Sequence, residues 1–452
     1  MREYRLVSTS GILGYGYPEA CLNAAMERGV DMIGCDGGSS DPGPYYLGSG
    51  KPFVSLRAMR RDLRLMLIAA IRHKVPLVIG TAGGAGGEPH LQLVAQMVRD
   101  IARDEGLHFK MALIHAEQSQ DRVLRFVREG RSRPLGRMAP LEEETVRRAT
   151  RIVGLCGPEP YMRALGEGAQ VILGGRSSDP APFAACAMSA QLPPAPSWYA
   201  GKMLECGALP AWPKGPDCLH VTVREDGVTC EPMGDKRCTP ISVANHSLHE
   251  NSSPVRHVEP GGVLDTSDCV FEQVSHKATR VSGMRWTPAD DYTVKLEAAE
   301  FVGHRAVSFA GTRDPILIPQ VDHFFGLVRE LVRGKADDLD IAPEDYRLTI
   351  HTYGRDGVMG AREPVRNARP HELGFLIDVV AKEPDIAQAV IALSRTSMLH
   401  SDFPGRLCKE GNMAIPFSPS DLAAGEVFRF SMNHVVLPED PCELFPIEHE
   451  AV

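Results

Sequence analysis

The chain of 452 residues lacks several features that would fix its class at once. It has no C-x-x-C pair among its eleven cysteines. That removes zinc ribbons and thioredoxin-type redox motifs, and leaves the scattered thiols that a reducing cytosol keeps. It has no long basic block, and 49 Lys+Arg against 58 Asp+Glu leave a net charge of −9, so a nucleic acid would meet net repulsion. It has no long apolar run. The longest, around residues 65–71, is about one third of a membrane span, and Met1-Arg2-Glu3-Tyr4-Arg5 lacks the apolar core of a signal peptide. With no G-x-S-x-G elbow, no H-E-x-x-H and no kinase motif set, serine-hydrolase, zinc-protease and kinase chemistry have no support. The expectation is a cytoplasmic protein without nucleic-acid or membrane partners.

What the chain does have is glycine and proline, 43 and 35 of them, roughly one residue in six against a usual share of roughly 12 %. Among 43 % hydrophobic residues this excess is not that of a disordered chain; it describes a globular one with many tight loops. At roughly 100–200 residues per domain the length predicts two or three domains.

The first half alternates helical periodicity with short apolar runs, the pattern of an α/β domain with a mostly parallel sheet. Helices are expected over 18–28, 61–73, 90–105, 142–153 and 159–166, and strands ending at Cys35, Gly80, His115 and Gly174. A proline-dense stretch at 192–197 reads as a linker or a crossing strand. Beyond it the runs at 220–224, 270–274, 277–281, 292–296, 305–309, 346–352, 373–380 and 427–432 alternate as half-buried strands do, with helices at 321–333 and 386–399. The fold class that follows is α/β: an N-terminal open, mostly parallel sheet with flanking helices over residues 1–196, then a C-terminal α+β domain with antiparallel strands over 197–452, closing a ligand cleft.

Ligands of open parallel sheets sit beyond the carboxyl ends of the strands, and the four strand ends here run into unusual sequence. Gly37-Gly38-Ser39-Ser40-Asp41-Pro42-Gly43-Pro44 is echoed by Gly174-Gly175-Arg176-Ser177-Ser178-Asp179-Pro180-Ala181-Pro182, each after a helix and a strand. Ser39, Ser40, Asp41, Ser177 and Ser178 in such a corner are expected to cap a helix N-terminus or help it hold an anion. The run Gly83-Gly84-Ala85-Gly86-Gly87 follows a strand and precedes a helix, as a backbone nest for a phosphate or carboxylate does. The alternative is a steric role, backbone against backbone. No Gly-Lys-Ser/Thr closes this run and no third glycine completes G-x-G-x-x-G, so nicotinamide, flavin and ATP motifs are missing.

His115 and Glu117 share one side of a strand end, where they can form an acid/base pair or two metal ligands. Asp36, Asp41, Arg176 and Asp179 are expected on the same rim, with Arg176 suited to a carboxylate. Lys202 and Glu205 are expected to face the cleft, with Cys206 at a turn. His246-x-x-His249-Glu250 has helix-face spacing for two metal ligands, so a divalent metal stays open as a cofactor. Lys295 and Glu297 read as a surface ion pair. His351 and the turns at 353–360 and 400–406 are candidates to line the cleft from the second domain.

The segments Gly11-Ile12-Leu13-Gly14-Tyr15-Gly16, Asp41-Pro42-Gly43-Pro44-Tyr45-Tyr46-Leu47-Gly48, residues 83–90, Ile114-His115-Ala116-Glu117-Gln118, residues 174–179, Glu205-Cys206-Gly207-Ala208, Glu259-Pro260-Gly261-Gly262 and Phe417-Ser418-Pro419-Ser420-Asp421 together resemble the acyclic terpene utilisation protein family of the AtuA type. The resemblance implies a cytosolic catabolic enzyme of branched-chain carboxylate or acyl-CoA pathways and transfers no catalytic residue. From the rim chemistry the expected activity is that of a lyase or hydratase on a small branched or multi-carboxylate acid or its CoA thioester. Arg176 and residues 83–87 would hold the anion, His115 or Asp36 would move a proton, Asp179 would lie beside them, and Glu117 would orient His115. The alternatives are a non-catalytic acyl-CoA or carboxylate binding subunit of a larger complex and a metal-dependent hydrolase using His246 and His249. A homo-oligomer or complex subunit is expected in each case.

Overall fold

The computed structural model describes residues 2–250 and 252–452. The chain forms two compact units, Met1–Glu300 with Phe430–Val452, and Phe301–Arg429. The expected boundary at 196/197 therefore falls inside the larger unit, because residues beyond it pair onto the first strand of the chain.

In chain order the first part of the larger unit holds β1 (Glu3–Ser8), α1 (Glu19–Arg28), β2 (Met32–Asp36), α2 (Pro44–Ser49), α3 (Leu56–His73), β3 (Leu77–Gly80), α4 (Glu88–Glu105), β4 (Lys110–Ile114), α5 (Gln120–Arg128), β5 (Ser132–Pro134), α6 (Glu143–Arg148), β6 (Arg151–Gly154), α7 (Glu159–Gly166), β7 (Val171–Gly174), α8 (Ala181–Ser189) and α9 (Pro194–Leu204). Strands β1, β2, β3, β7 and β4 lie side by side in that order, all parallel. Antiparallel strands extend the sheet at both edges. Leu219–Arg224 pairs with β1, followed outward by Gly227–Pro232, Thr279–Ser282 and Val270–Gln273, while Ile447–Ala451 covers β4.

The parallel strands are short apolar runs because both faces are covered. Their period of two sorts residues between two cores. Val7, Ile33, Leu77, Ile79, Met111, Leu113, Val171 and Leu173 face one core with Met59, Leu63, Val94 and Ile101 of α3 and α4. Leu6, Met32, Val78, Ala112 and Ile172 face the other with Tyr161, Phe183, Trp198 and Tyr199 of α7, α8 and α9. Helix α3 ends at Lys74 and α4 at Gly106, both left-handed, and Pro76 follows the first.

Three expectations change. Residues 192–197 open a helix, because Pro194 and Pro196 occupy the first turn of α9, where no amide hydrogen bond is lost. The 142–153 helix stops at Arg148, and β6 pairs with Leu296–Ala299 of the strand Val294–Thr312. The runs at 292–296 and 305–309 are parts of that one 19-residue strand. It carries the chain into the smaller unit, where residues 304–312 pair with Leu373–Ala381, itself paired with Tyr346–Tyr353. Helices Val321–Asp337 and Pro384–His400 complete this unit through Phe324, Phe325, Val328, Ile377, Val390 and Met398. His351 and the 353–360 and 400–406 turns belong to this unit. Among the described residues no helix is long and apolar enough to cross a membrane.

Candidate active site

The carboxyl ends of β2, β3, β7 and β4 meet at one edge of the sheet, and the residues that follow them form two groups. In the first, the guanidinium of Arg176 is buried and donates from Nε to Glu297 Oε2 at 3.1 Å, and from Nη1 to Asp179 Oδ1 at 3.0 Å, to the Ser177 carbonyl at 2.9 Å and to Thr81 Oγ1 at 3.3 Å. Glu297 also accepts from Lys295 Nζ at 2.8 Å. Glu297 is thus a buried bridge between two cations and not half of a surface pair. Burial opposes its charge, yet Arg176 and Lys295 hold its pKa down to about 2. Arg176 is engaged by the protein's own carboxylates, so it positions them instead of presenting an open fork to solvent.

Asp36 closes β2, buried, with Oδ1 accepting from the Gly38 amide at 3.2 Å. Burial first, and Asp179 second, push its pKa well above the usual carboxyl range, against the pull of the Gly38 amide and Arg176. Asp179 is raised too, by burial, with Arg176 opposing. Lys202 of α9 and Glu205 just after it are both about 5 % exposed and joined at 2.5 Å. Burial pushes Glu205 up, Lys202 pulls against it, and Asp179 and Glu259 add to the rise. Glu259 accepts from Ser178 Oγ at 2.5 Å and is pushed to about 7, by burial and then by Asp179. Two residues earlier on the same strand face, His257 is 2 % exposed and, among the described residues, neither of its ring nitrogens has a hydrogen-bond partner. Burial and the Lys202 charge lower its pKa to about 4.

The charges can be counted. Asp36, Asp179, Glu205, Glu259 and Glu297 face Arg176, Lys202 and Lys295, so with every group ionised the cluster carries two negative charges in excess. Asp36 and Glu259 accept from an amide and a hydroxyl and from no cation, and burial pushes both of them, with Glu205, towards the protonated form. The duplicated corner therefore serves another purpose than capping. Neither α2 nor α8 has a side-chain cap. Ser177 donates to the Gly175 carbonyl and bonds Tyr161, Ser178 binds Glu259, and Asp179 binds Arg176. In the first copy Ser39 accepts from the Asp41 amide, and Asp41 is exposed, near enough to raise Asp179. Ser40 accepts from Gly43 through its carbonyl.

The second group lies at β4. His115 Nδ1 bonds Glu88 Oε2 at 2.9 Å, with Glu448 Oε2 at 3.5 Å from Nε2. Glu117 does not orient His115; it takes Arg151 Nη1 at 2.7 Å and the Glu88 amide at 2.7 Å. Residues 81–87 are buried between the groups. A Cβ at Gly86, left-handed at φ +65, would overlap the Arg176 backbone, and one at Gly87 would meet Arg151 and Glu117. A Cβ at Gly83 would meet His90, and one at Gly84 would meet Phe53. Close approach accounts for these glycines.

Beside the first group is a cavity of about 440 Å³ lined by Ser10, Gly11, Tyr15, Cys206, Asp217 and Glu250, among others, within the size range of small-molecule sites. Cys206 connects the two, since its Sγ lies within 4.8 Å of a Glu205 carboxylate oxygen and a His246 ring nitrogen. Burial raises the Cys206 thiol pKa, which does not favour a nucleophilic cysteine.

A family model described as "Acyclic terpene utilisation family protein AtuA" matches residues 57–211. Over this stretch, about one third of the chain, the protein is similar to that family. The matched segment contains β3, β4 and β7, the glycine loop, His115, Arg176, Asp179, Lys202 and Glu205, while Asp36, Glu259 and Glu297 lie outside it. The family description names a catabolic process. No curated protein and no solved structure matches the chain. Glu259 and His257 had no assigned role at the level of residue patterns. The signal for Glu259 was its place in one of the segments that carry the family resemblance, as was that for Glu205.

Proposed function

We propose that the chain is a catabolic lyase or hydratase acting on a small branched or multi-carboxylate acid or its CoA thioester. The observation that carries this reading is the buried excess of carboxyls at the strand ends. Adding or removing water next to a carbonyl needs one group to deliver a proton and another to take one. Asp179 is close enough to raise the pKa of Asp36, and Arg176 hydrogen-bonds only Asp179 of the two, so a proton held by the pair resides on Asp36. Asp36 is then the acid and Asp179 the base. His115 with Glu88 is a second acid/base pair at the same edge. The AtuA description supports a catabolic role, and the 440 Å³ cavity has room for a small acid or the acyl end of a thioester.

A thermal-shift screen of branched and multi-carboxylate acids against their CoA thioesters separates the two substrate classes. Incorporation of solvent deuterium next to the carbonyl, read by mass spectrometry, then tests the chemistry. Wild type is expected to exchange, Asp179→Asn to bind without exchange, and His115→Ala to exchange. Unchanged exchange in Asp179→Asn overturns the role of Asp179 as the base. Tight binding without exchange by wild type returns the chain to a carboxylate or acyl-CoA binding subunit.

A further inference from the structure

Helix α9 ends at Leu204, and the two residues after it, Glu205 and Cys206, meet the end of the helix Pro240–Ser247 and the chain beyond it. A carboxylate oxygen of Glu205, Sγ of Cys206 and a ring nitrogen of His246 lie within 4.8 Å of one another, and so do Cys206 Sγ, a ring nitrogen of His249 and a carboxylate oxygen of Glu250. One sulfur is therefore shared by two overlapping three-donor sets, which together offer a thiol, two imidazoles and two carboxyls on either side of Cys206. Sulfur, nitrogen and oxygen in this proportion suit a borderline-soft divalent ion such as zinc, and are a poor match to magnesium or calcium.

Three further observations fit an ion there. His246 is buried, and its Nε2 lies 3.1 Å from the Lys202 carbonyl. A carbonyl only accepts, so Nε2 carries the proton and the Nδ1 lone pair is left to ligate, the usual outer support of a metal-binding histidine. Cys206, His249 and Glu250 line the 440 Å³ cavity, which gives an ion access from solvent. Charge is the third. The cavity wall carries Asp217 and Glu250 and, among the described residues lining it, no lysine or arginine. One divalent ion gives a carboxylate ligand a positive partner that the wall otherwise lacks.

We propose that Glu205, Cys206, His246, His249 and Glu250 form a binding site for a zinc-type divalent cation in the wall of this cavity. The site rests on the donor geometry and not on the lyase or hydratase reading, and it is tested without turnover. The full-length chain, stripped with a chelator, is titrated with Zn²⁺ against a chromophoric competitor and separately with Co²⁺. Expected are one equivalent of tightly bound metal, proton release on binding, and a near-ultraviolet thiolate-to-cobalt band. Cys206→Ser should lose that band, and His246→Gln should bind Zn²⁺ on the order of 10–100-fold more weakly. Near-ultraviolet circular dichroism checks that both variants fold. Substoichiometric Zn²⁺, a Co²⁺ complex of the wild type without a thiolate band, or variants that bind like wild type overturn the site. The first two readouts need no variant to fold.

Discussion

Glu297 and Glu259 are carboxyls of one cluster with opposite electrostatic fates, and each makes a pH-dependent prediction. Glu297 bridges Arg176 and Lys295 with its pKa held at about 2. Its folded value lies below the unfolded one, so its contribution is complete above the ordinary carboxyl range and is lost as pH falls through about 2. Glu297→Gln should cost about 3 kcal/mol near neutral pH, the scale of a broken buried pair. The gap in denaturant midpoints should narrow in acid; a gap independent of pH would exclude this account. Glu259 is pushed to about 7, above its unfolded value, so the native state holds a proton the unfolded chain has released and stability declines as pH rises through about 7. Glu259→Gln cannot lose that proton, and its stability relative to wild type should climb between about pH 5 and pH 8. Parallel pH curves for the two proteins would show that Glu259 is not buried against charge.

At the scale of elements, glycine is informative only where the neighbouring backbone decides. Gly86→Ala places a side chain at a left-handed position and against the Arg176 backbone, and should cost at least about 2 kcal/mol. Gly326 lies within the helix Val321–Asp337 with nothing within 4 Å of a would-be Cβ, so Gly326→Ala should gain about 0.5–1 kcal/mol. Thermal midpoints of the two variants should move in opposite directions, and a shift of the same sign would refute the contrast. The four apolar runs ending at Cys35, Gly80, His115 and Gly174 were legible as strands because each is buried on both faces. Strand β1 was not, since its sequence Glu3–Ser8 begins with charged and polar residues and its pairing with β2 and Leu219–Arg224 is what buries it. The proline cluster misled for a local reason: proline breaks a helix in its interior but suits its first turn.

At the scale of the molecule, the smaller unit has its own core, from Ala306 to Phe403, while the two cores of the sheet lie wholly in the larger unit. Thermal unfolding should therefore resolve more than one transition, with a van't Hoff enthalpy below the calorimetric one. A single transition with equal enthalpies would show the units to be one cooperative body. Sequence alone determined which short runs become buried parallel strands, and that their carboxyl ends carry Asp36, His115, Arg176 and Asp179, because apolar periodicity and strand direction are local properties. It did not determine strand order, which separates His115 from Asp36 by placing β3 and β7 between β2 and β4. Nor did it bring Glu259 and Glu297 to Arg176 and Lys202. Those carboxyls come from separate parts of the chain, and their protonation depends on burial and on one another's charge, which exist only once the sheet, α9 and the later strands have closed around them.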